Sequence, residues 1–186
     1  MKRWIKRRVT IGKVIAFYGS PRKDGDTAKL IEKVIAGAKS AGAEVVTYDL
    51  NEDGVKGCQG CYYCRANEGC ATKDKLQSMY QEIKEATGIV AGFPIYFYDV
   101  GAQSKILIDR LFPMIDGNFA PRYKGKKVVT VYAQGQPDKS AYKDAVEKNN
   151  SVFSAFGWDL IESFICSGDA DSFLDKAIEV GKQLAK

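Results

Sequence analysis

The sequence predicts an α/β fold in which a parallel sheet is covered by helices on both faces. Short, almost purely apolar runs occur, as strands buried on both sides require, and they alternate five times with segments of helical period. The length of 186 residues and the 45 % apolar content suit one domain with a full core.

The first strand is Val14 to Tyr18, and the helix after it carries Leu30, Ile31, Val34, Ile35 and Ala38 on one stripe before Gly42 ends it. Val45 to Tyr48 make the second strand, followed by a polar loop rich in Gly and Cys. Asp74 then reads as the N-cap of a helix with Leu76, Met79, Tyr80 and Ile83 on one face, and Gly88 follows its end. The third strand, Ile89 to Phe93, is closed by Pro94, and its helix runs through Lys105 to Phe112. The fourth strand is Lys127 to Ala133, with a helix bearing Tyr142, Val146, Phe153 and Phe156 before Gly157. Leu160 to Cys166 form the fifth strand, and Leu174, Ala177, Ile178 and Leu184 mark the last helix. Five such units fit a flavodoxin-like three-layer sandwich with a five-stranded parallel sheet in the order 2-1-3-4-5. Ligands of that topology bind beyond the carboxyl ends of the strands, at the switch point between strands 1 and 3. The expected organisation is a basic arm over residues 1–12 and one domain over 13–186, with a cysteine-rich insert at 51–73.

Charge and composition exclude several functions. Lys and Arg number 28 and Asp and Glu 23, but five of the basic groups fall in residues 1–8, so residues 9–186 balance at 23 against 23. A basic stripe for nucleic acid is therefore not expected. Histidine is absent, which removes Ser-His-Asp and Cys-His nucleophilic sites and histidine-ligated zinc. No segment suits a membrane span or a signal sequence, so a cytoplasmic protein is expected. Five cysteines are too few for a disulfide scaffold at this size.

Three loops carry chemical signals. Gly19 to Thr27 joins a buried strand to a helix, where free N–H groups and the positive helix end attract phosphate. Ser20 and Thr27 add hydroxyls, Arg22 a forked cation, and Gly25 room for close approach; the spacing is neither a Walker loop nor GxGxxG. The competing reading is a polar turn capped by Asp26 or Thr27. Pro94-Ile95-Tyr96-Phe97-Tyr98 places three aromatic rings at a strand's carboxyl end, suited to a planar ligand such as an isoalloxazine or, otherwise, to an aromatic cluster or subunit contact. Ala133-Gln134-Gly135 is a weaker third wall. Cys58-x2-Cys61-x2-Cys64-x5-Cys70 has the compact four-thiolate spacing of an iron–sulfur site, with zinc and metal-free thiols as the alternatives. Cys166 ends an apolar strand and reads as a buried small hydrophobe. Lys105 and Asp109, at i and i+4, read as a helix surface pair.

Together GSPRKDGDT, CQGCYYC with Cys70, and FPIYFYDVGAQSK followed by ILIDRLF resemble the NAD(P)H-dependent FMN reductase superfamily, and within it the iron–sulfur flavoprotein branch. The resemblance runs from about Lys13 to Cys166. It implies that Ser20, Arg22, Gly25, Asp26 and Thr27 hold the FMN phosphate, and that Pro94, Ile95, Tyr96 and Phe97, with Ala133, Gln134 and Gly135, hold the ring. It assigns Cys58, Cys61, Cys64 and Cys70 to a [4Fe-4S] cluster, and implies NAD(P)H or ferredoxin as electron donor and a homodimer or homotetramer. Two positions depart from the family pattern: Asp74-Lys75 where paired Asp is common, and Phe93 where a small residue often precedes the Pro. The expected function is electron exchange between a reduced donor, FMN and the cluster, the rival readings being a non-catalytic electron carrier served by ferredoxin and a redox sensor.

Overall fold

The computed structural model describes residues 12–186; the basic arm, up to residue 11, lies outside them. Strands β1 (Lys13–Tyr18), β2 (Glu44–Asp49), β3 (Gly88–Tyr96), β5 (Lys127–Ala133) and β6 (Asp159–Cys166) form a parallel sheet in the order β2-β1-β3-β5-β6, with a short β4 (Asp99–Val100) antiparallel to β3. With β4 set aside, this is the expected order 2-1-3-4-5. The central strands β1, β3 and β5 are buried almost throughout, whereas the edges β2 and β6 keep half-exposed, partly polar faces. Charged and hydroxyl side chains at a sheet edge discourage pairing with another chain.

Helices α1 (Asp26–Ser40) and α6 (Leu174–Leu184) cover one face. Leu30, Ile31, Val34, Val180 and Leu184 bury there against Val14, Ala16, Val90 and Val129. The other face carries α3 (Met79–Glu85), α4 (Ala102–Arg110) and α5 (Lys143–Ala155), and its core is aromatic. The one-turn helix α2 (Tyr63–Ala66) lies within the cysteine loop. Phe93 lies 5.5 Å from Tyr132 and 6.4 Å from Phe153, which stacks in turn on Trp158 at 6.1 Å.

Three local details differ from the sequence expectation. β3 continues through Pro94 to Tyr96. Its pairing with β1 ends at Gly92, so no β1 partner calls for the missing N–H of Pro94. Helix α3 begins at Met79 rather than after Asp74. The Asp74 carboxylate does take the Leu76 N–H at 3.1 Å, but it also takes the Lys56 N–H at 2.9 Å and pairs with Arg110, which fixes residues 75–78 as turns. The third difference is the β3–β4 hairpin, whose turn residues Phe97 and Tyr98 carry no Gly or Asn signal.

Helices α1 and α6 meet through two glycines. A Cβ on Gly37 would lie 2.0 Å from the Ile178 carbonyl oxygen, and one on Gly181 would lie 2.0 Å from that of Val34. Both obstacles are backbone, so neither can give way cheaply. Gly181→Ala gains about 1 kcal/mol in helix propensity and loses about 3 kcal/mol to overpacking. A net loss of about 2 kcal/mol is expected in denaturant unfolding.

Candidate functional site

The loop after β1 is drawn down onto β3 by two glycines at the switch point. Gly19 donates its N–H to the Gly92 carbonyl at 3.0 Å. A Cβ on Gly19 would strike that same oxygen at 2.4 Å and Ser104 Oγ at 2.2 Å, while one on Gly92 would strike Thr27 Cγ2 at 2.4 Å and Ile31 at 2.5 Å. Any side chain at either position would lift the loop off the strand. Thr27 and Ser20 are consequently buried, and Ser20 Oγ accepts the Arg22 N–H at 3.2 Å, shaping the loop from beneath.

Above them lies a cleft of about 620 Å³ lined by Arg22, Gly25 and Asp26 from the first loop, Ile95, Tyr96 and Phe97 from β3, Ala133, Gln134 and Gly135 after β5, and Gly168 after β6. The three expected walls therefore meet in one space. Ser20, Thr27 and Pro94 do not line it; they support it. Gly168, in a loop the sequence reading left out, donates its N–H to Asp26 Oδ2 at 2.9 Å. That contact gives the Asp26 carboxylate a partner within the protein.

The cleft fits a phosphate and a planar polar ring. Helix α1 has Gly25 as its N-cap and so no side-chain cap, which leaves first-turn N–H groups for an anion. Gln134 is nearly buried, and its amide nitrogen is spent on the carbonyls of Gln136 at 2.8 Å and Asp138 at 2.7 Å; its Oε1 has no partner. A buried amide oxygen without a partner, on a residue that lines the cleft, is an acceptor left for a ring N–H. Phe93, one of the departures from the family pattern, points into the aromatic core on the other side of β3 and does not enter the cleft.

The β3–β4 turn is strained. Phe97 and Tyr98 have φ of +43° and +74°, the two-residue hairpin geometry that ordinarily selects Asn-Gly. Phe97 is 95 % exposed over the cleft, while Tyr98 turns away to pack edge-on against Tyr142 at 5.9 Å. Among the described residues every non-glycine with positive φ is an exposed aromatic: Tyr62, Phe97, Tyr98 and Phe119. Left-handed backbone at bulky residues costs of order 1–3 kcal/mol each and collects at functional sites.

The cysteine loop lies on the α4 side of the sheet. Cys58, Cys61, Cys64 and Cys70 line one cavity of about 130 Å³ together with Arg110, Phe112 and Pro113. Backbone N–H groups of Gly60 and Thr72 approach the sulfurs of Cys58 and Cys70 at 3.5 and 3.4 Å. Among the described residues no three Cys, Asp or Glu side chains converge on a single metal position. Four cysteines lining one cavity, in a chain without histidine, are the donor chemistry of an iron–sulfur site.

Three arginines, none singled out in the sequence, hold this loop. Arg65 donates to the carbonyls of Asp116 at 2.6 Å, Phe112 at 2.9 Å and Ile115 at 2.6 Å, and stacks 3.8 Å from the Phe112 ring centroid. Arg122 reaches the Cys64 and Asn67 carbonyls at 3.1 and 3.3 Å. The segment from Phe112 to Tyr123, which has no strand or α-helix of its own, is thus a brace for the cysteine loop. Arg110 is fully buried and pairs in a fork with Asp74, at 2.5 and 3.0 Å. Burial works against both charges, but their contact overrides it and holds the Asp74 carboxyl below and the Arg110 guanidinium above their ordinary values. Burial likewise raises the Cys70 thiol, and the Thr72 N–H, the Thr72 and Tyr80 hydroxyls and the Arg110 charge outweigh it, so the net shift is downward.

Cys166 behaves as expected of a core residue: fully buried, donating to the Tyr132 carbonyl at 3.2 Å, with burial and the charges of Asp26 and Asp169 pushing its thiol up to about 12. Lys105 and Asp109 form the expected i,i+4 surface pair.

The chain matches the family described as NADPH-dependent FMN reductase over residues 12–167. It is similar to an iron-sulfur flavoprotein of Archaeoglobus fulgidus, with 28 % identity over 181 residues that cover 94 % of this chain and 79 % of the relative. An iron-sulfur flavoprotein of Methanocaldococcus jannaschii is 32 % identical over 159 residues, 86 % and 77 % of the two chains. Among solved structures, an NAD(P)H:quinone oxidoreductase from Methanothermobacter marburgensis superimposes with a TM-score of 0.71 at 17 % identity, covering 94 % of this chain and 99 % of that one. Azoreductase AzrA gives 0.70 at 18 %, covering 92 % and 100 %. Likeness at that identity is a likeness of fold.

The strained turn yields a stability test. Phe97→Asn combined with Tyr98→Gly relieves two left-handed residues and forfeits two edge-on aromatic contacts, Phe97–Tyr98 at 5.6 Å and Tyr98–Tyr142 at 5.9 Å. Denaturant unfolding of the ligand-free protein is expected to show a gain of about 1–2 kcal/mol.

Proposed function

The chain belongs to the NADPH-dependent FMN reductase family, in its iron–sulfur flavoprotein branch, and we propose that this flavin-dependent oxidoreductase passes electrons between a reduced donor, FMN and a [4Fe-4S] cluster. The observation that carries the reading is the meeting of the loops after β1, β3 and β5 in one cleft, in a chain whose four clustered cysteines share a second cavity.

Each group of residues has a distinct task. Arg22 and the uncapped N–H groups of α1 hold the phosphate, with Gly25 keeping the backbone close. Ile95, Tyr96 and Phe97 cover a face of the ring, and Gln134 Oε1 accepts from a ring N–H. Gly135 leaves open space beside it: a Cβ there would meet nothing within 4 Å. Cys58, Cys61, Cys64 and Cys70 hold the cluster. Bound FMN supplies two-electron hydride chemistry and one-electron exchange, so the protein provides position and electrostatics rather than an acid or nucleophile. The family supports NAD(P)H as the donor. No helix among the described residues is long and apolar enough to cross a membrane.

Protein purified without oxygen is expected to carry about four irons and matching acid-labile sulfide per chain, both lost in Cys58→Ala; iron near zero in the parent would leave a plain FMN reductase. Anaerobic mixing with NADPH or NADH is expected to bleach the flavin. Failure with both, alongside rapid reduction by ferredoxin, would make the protein an electron carrier instead. Arg22→Ala is expected to weaken FMN about tenfold, the worth of one charge-assisted contact, while leaving riboflavin binding unchanged.

A further inference from the structure

The cysteine cavity has a cation built into its wall. Arg110 lines it, with a side chain that is wholly buried. The guanidinium carries five N–H groups, and four are committed: Nε to the Tyr80 hydroxyl at 3.0 Å, one nitrogen to the Lys56 carbonyl at 2.7 Å and Asp74 Oδ2 at 2.5 Å, the other to Asp74 Oδ1 at 3.0 Å. One N–H remains. Arg110 lines the cavity and Asp74 does not, and it is the Arg110 charge that acts on the Cys70 thiol, so the pair presents its positive end to the cysteines; Asp109, paired with Lys105, lines the cavity as well. Lys56, two residues before Cys58, gives Arg110 its carbonyl and Asp74 its N–H, which ties the ion pair to the start of the cysteine loop.

Burying such a pair is costly. Removing one partner of a buried ion pair is strongly destabilising, yet replacing both with apolar groups is often neutral. An apolar plug between α3 and α4 would therefore serve the fold as well. A cavity lined by four thiolates, by contrast, gains from a fixed cation that bulk solvent does not screen.

We propose that Arg110, anchored by Asp74, is a positioning residue that sets the reduction potential of the cluster held by the cysteine loop. The inference rests on the cluster reading above. On reduction one electron enters, no bond forms or breaks, and the charge of a four-thiolate cluster goes from about −2 to about −3. A cation in the wall stabilises the more negative state, and the anion behind it opposes this from farther away.

Two variants separate charge from packing, the first isosteric and the second a shortening to a neutral amide. Asp74→Asn keeps the shape and leaves Arg110 uncompensated, so the potential should rise, with reduction favoured about tenfold, or 59 mV for one electron. Asp74→Asn with Arg110→Gln removes both charges, including the nearer one, and should bring the potential below that of the parent. The potentials are read by electron paramagnetic resonance during titration with dithionite under argon, with iron content and thermal unfolding measured on each sample. Shifts of opposite sign support the proposal. Shifts of the same sign, no shift, or loss of iron from both variants would reduce the pair to a scaffold and overturn it. A parent without iron would instead defeat the cluster reading itself, so the two failures are distinguishable.

Discussion

The backbone of Gly19 lies against that of Gly92, and the candidate site depends on that approach. The hydrogen bond from Gly19 to the Gly92 carbonyl extends the β1–β3 pairing by one step past the end of β1. It brings the start of α1 to the sheet, packs Thr27 and Ile31 where the Gly92 side chain would be, and leaves Arg22, Gly25 and Asp26 facing Ile95 to Phe97. The parallel topology supplies the crevice at the switch point; two missing Cβ atoms make it narrow enough for one ligand to touch both walls.

The cysteine loop is held by a different force. It has little apolar burial of its own, with Cys58 and Cys61 exposed and only Cys64 buried, so position comes from guanidinium groups bonded to carbonyls. Arg65 and Arg122 bind it to residues 112–123, and the Asp74–Arg110 pair fixes where it begins. Planar, always-charged donors suit this work because one side chain satisfies several carbonyls that would otherwise need a strand or helix. A loop fastened in this way keeps its four cysteines around one cavity.

Much of this was legible in the sequence, and what escaped did so for physical reasons. The strand order followed from apolar runs and helical stripes, and three loops came together as the topology requires. Gly168 escaped because a Ser-Gly turn after the last strand looks like any other; only its bond to Asp26 distinguishes it. Arg110 escaped because helix periodicity marks it as a polar residue among Leu107, Leu111 and Met114, with no sign that its partner is Asp74, 36 residues away. That partnership also explains why Asp74, a good cap by its sequence, does not start a helix. The β3–β4 hairpin was invisible because Phe97-Tyr98 is among the poorest choices for its turn. Its strain is held by the pairing of Ile95 with Val100 and of Tyr96 with Asp99.

One ligand is expected to occupy the cleft between the β1, β3 and β5 loops. Amide hydrogen exchange with and without saturating FMN tests it most directly, because each wall belongs to a separate stretch of chain. Protection is expected in residues 19–28, 95–98 and 134–136 together, with the sheet and α6 unchanged. Binding of FMN that protects none of these segments, or protects only the cysteine loop at 58–70, would contradict the account.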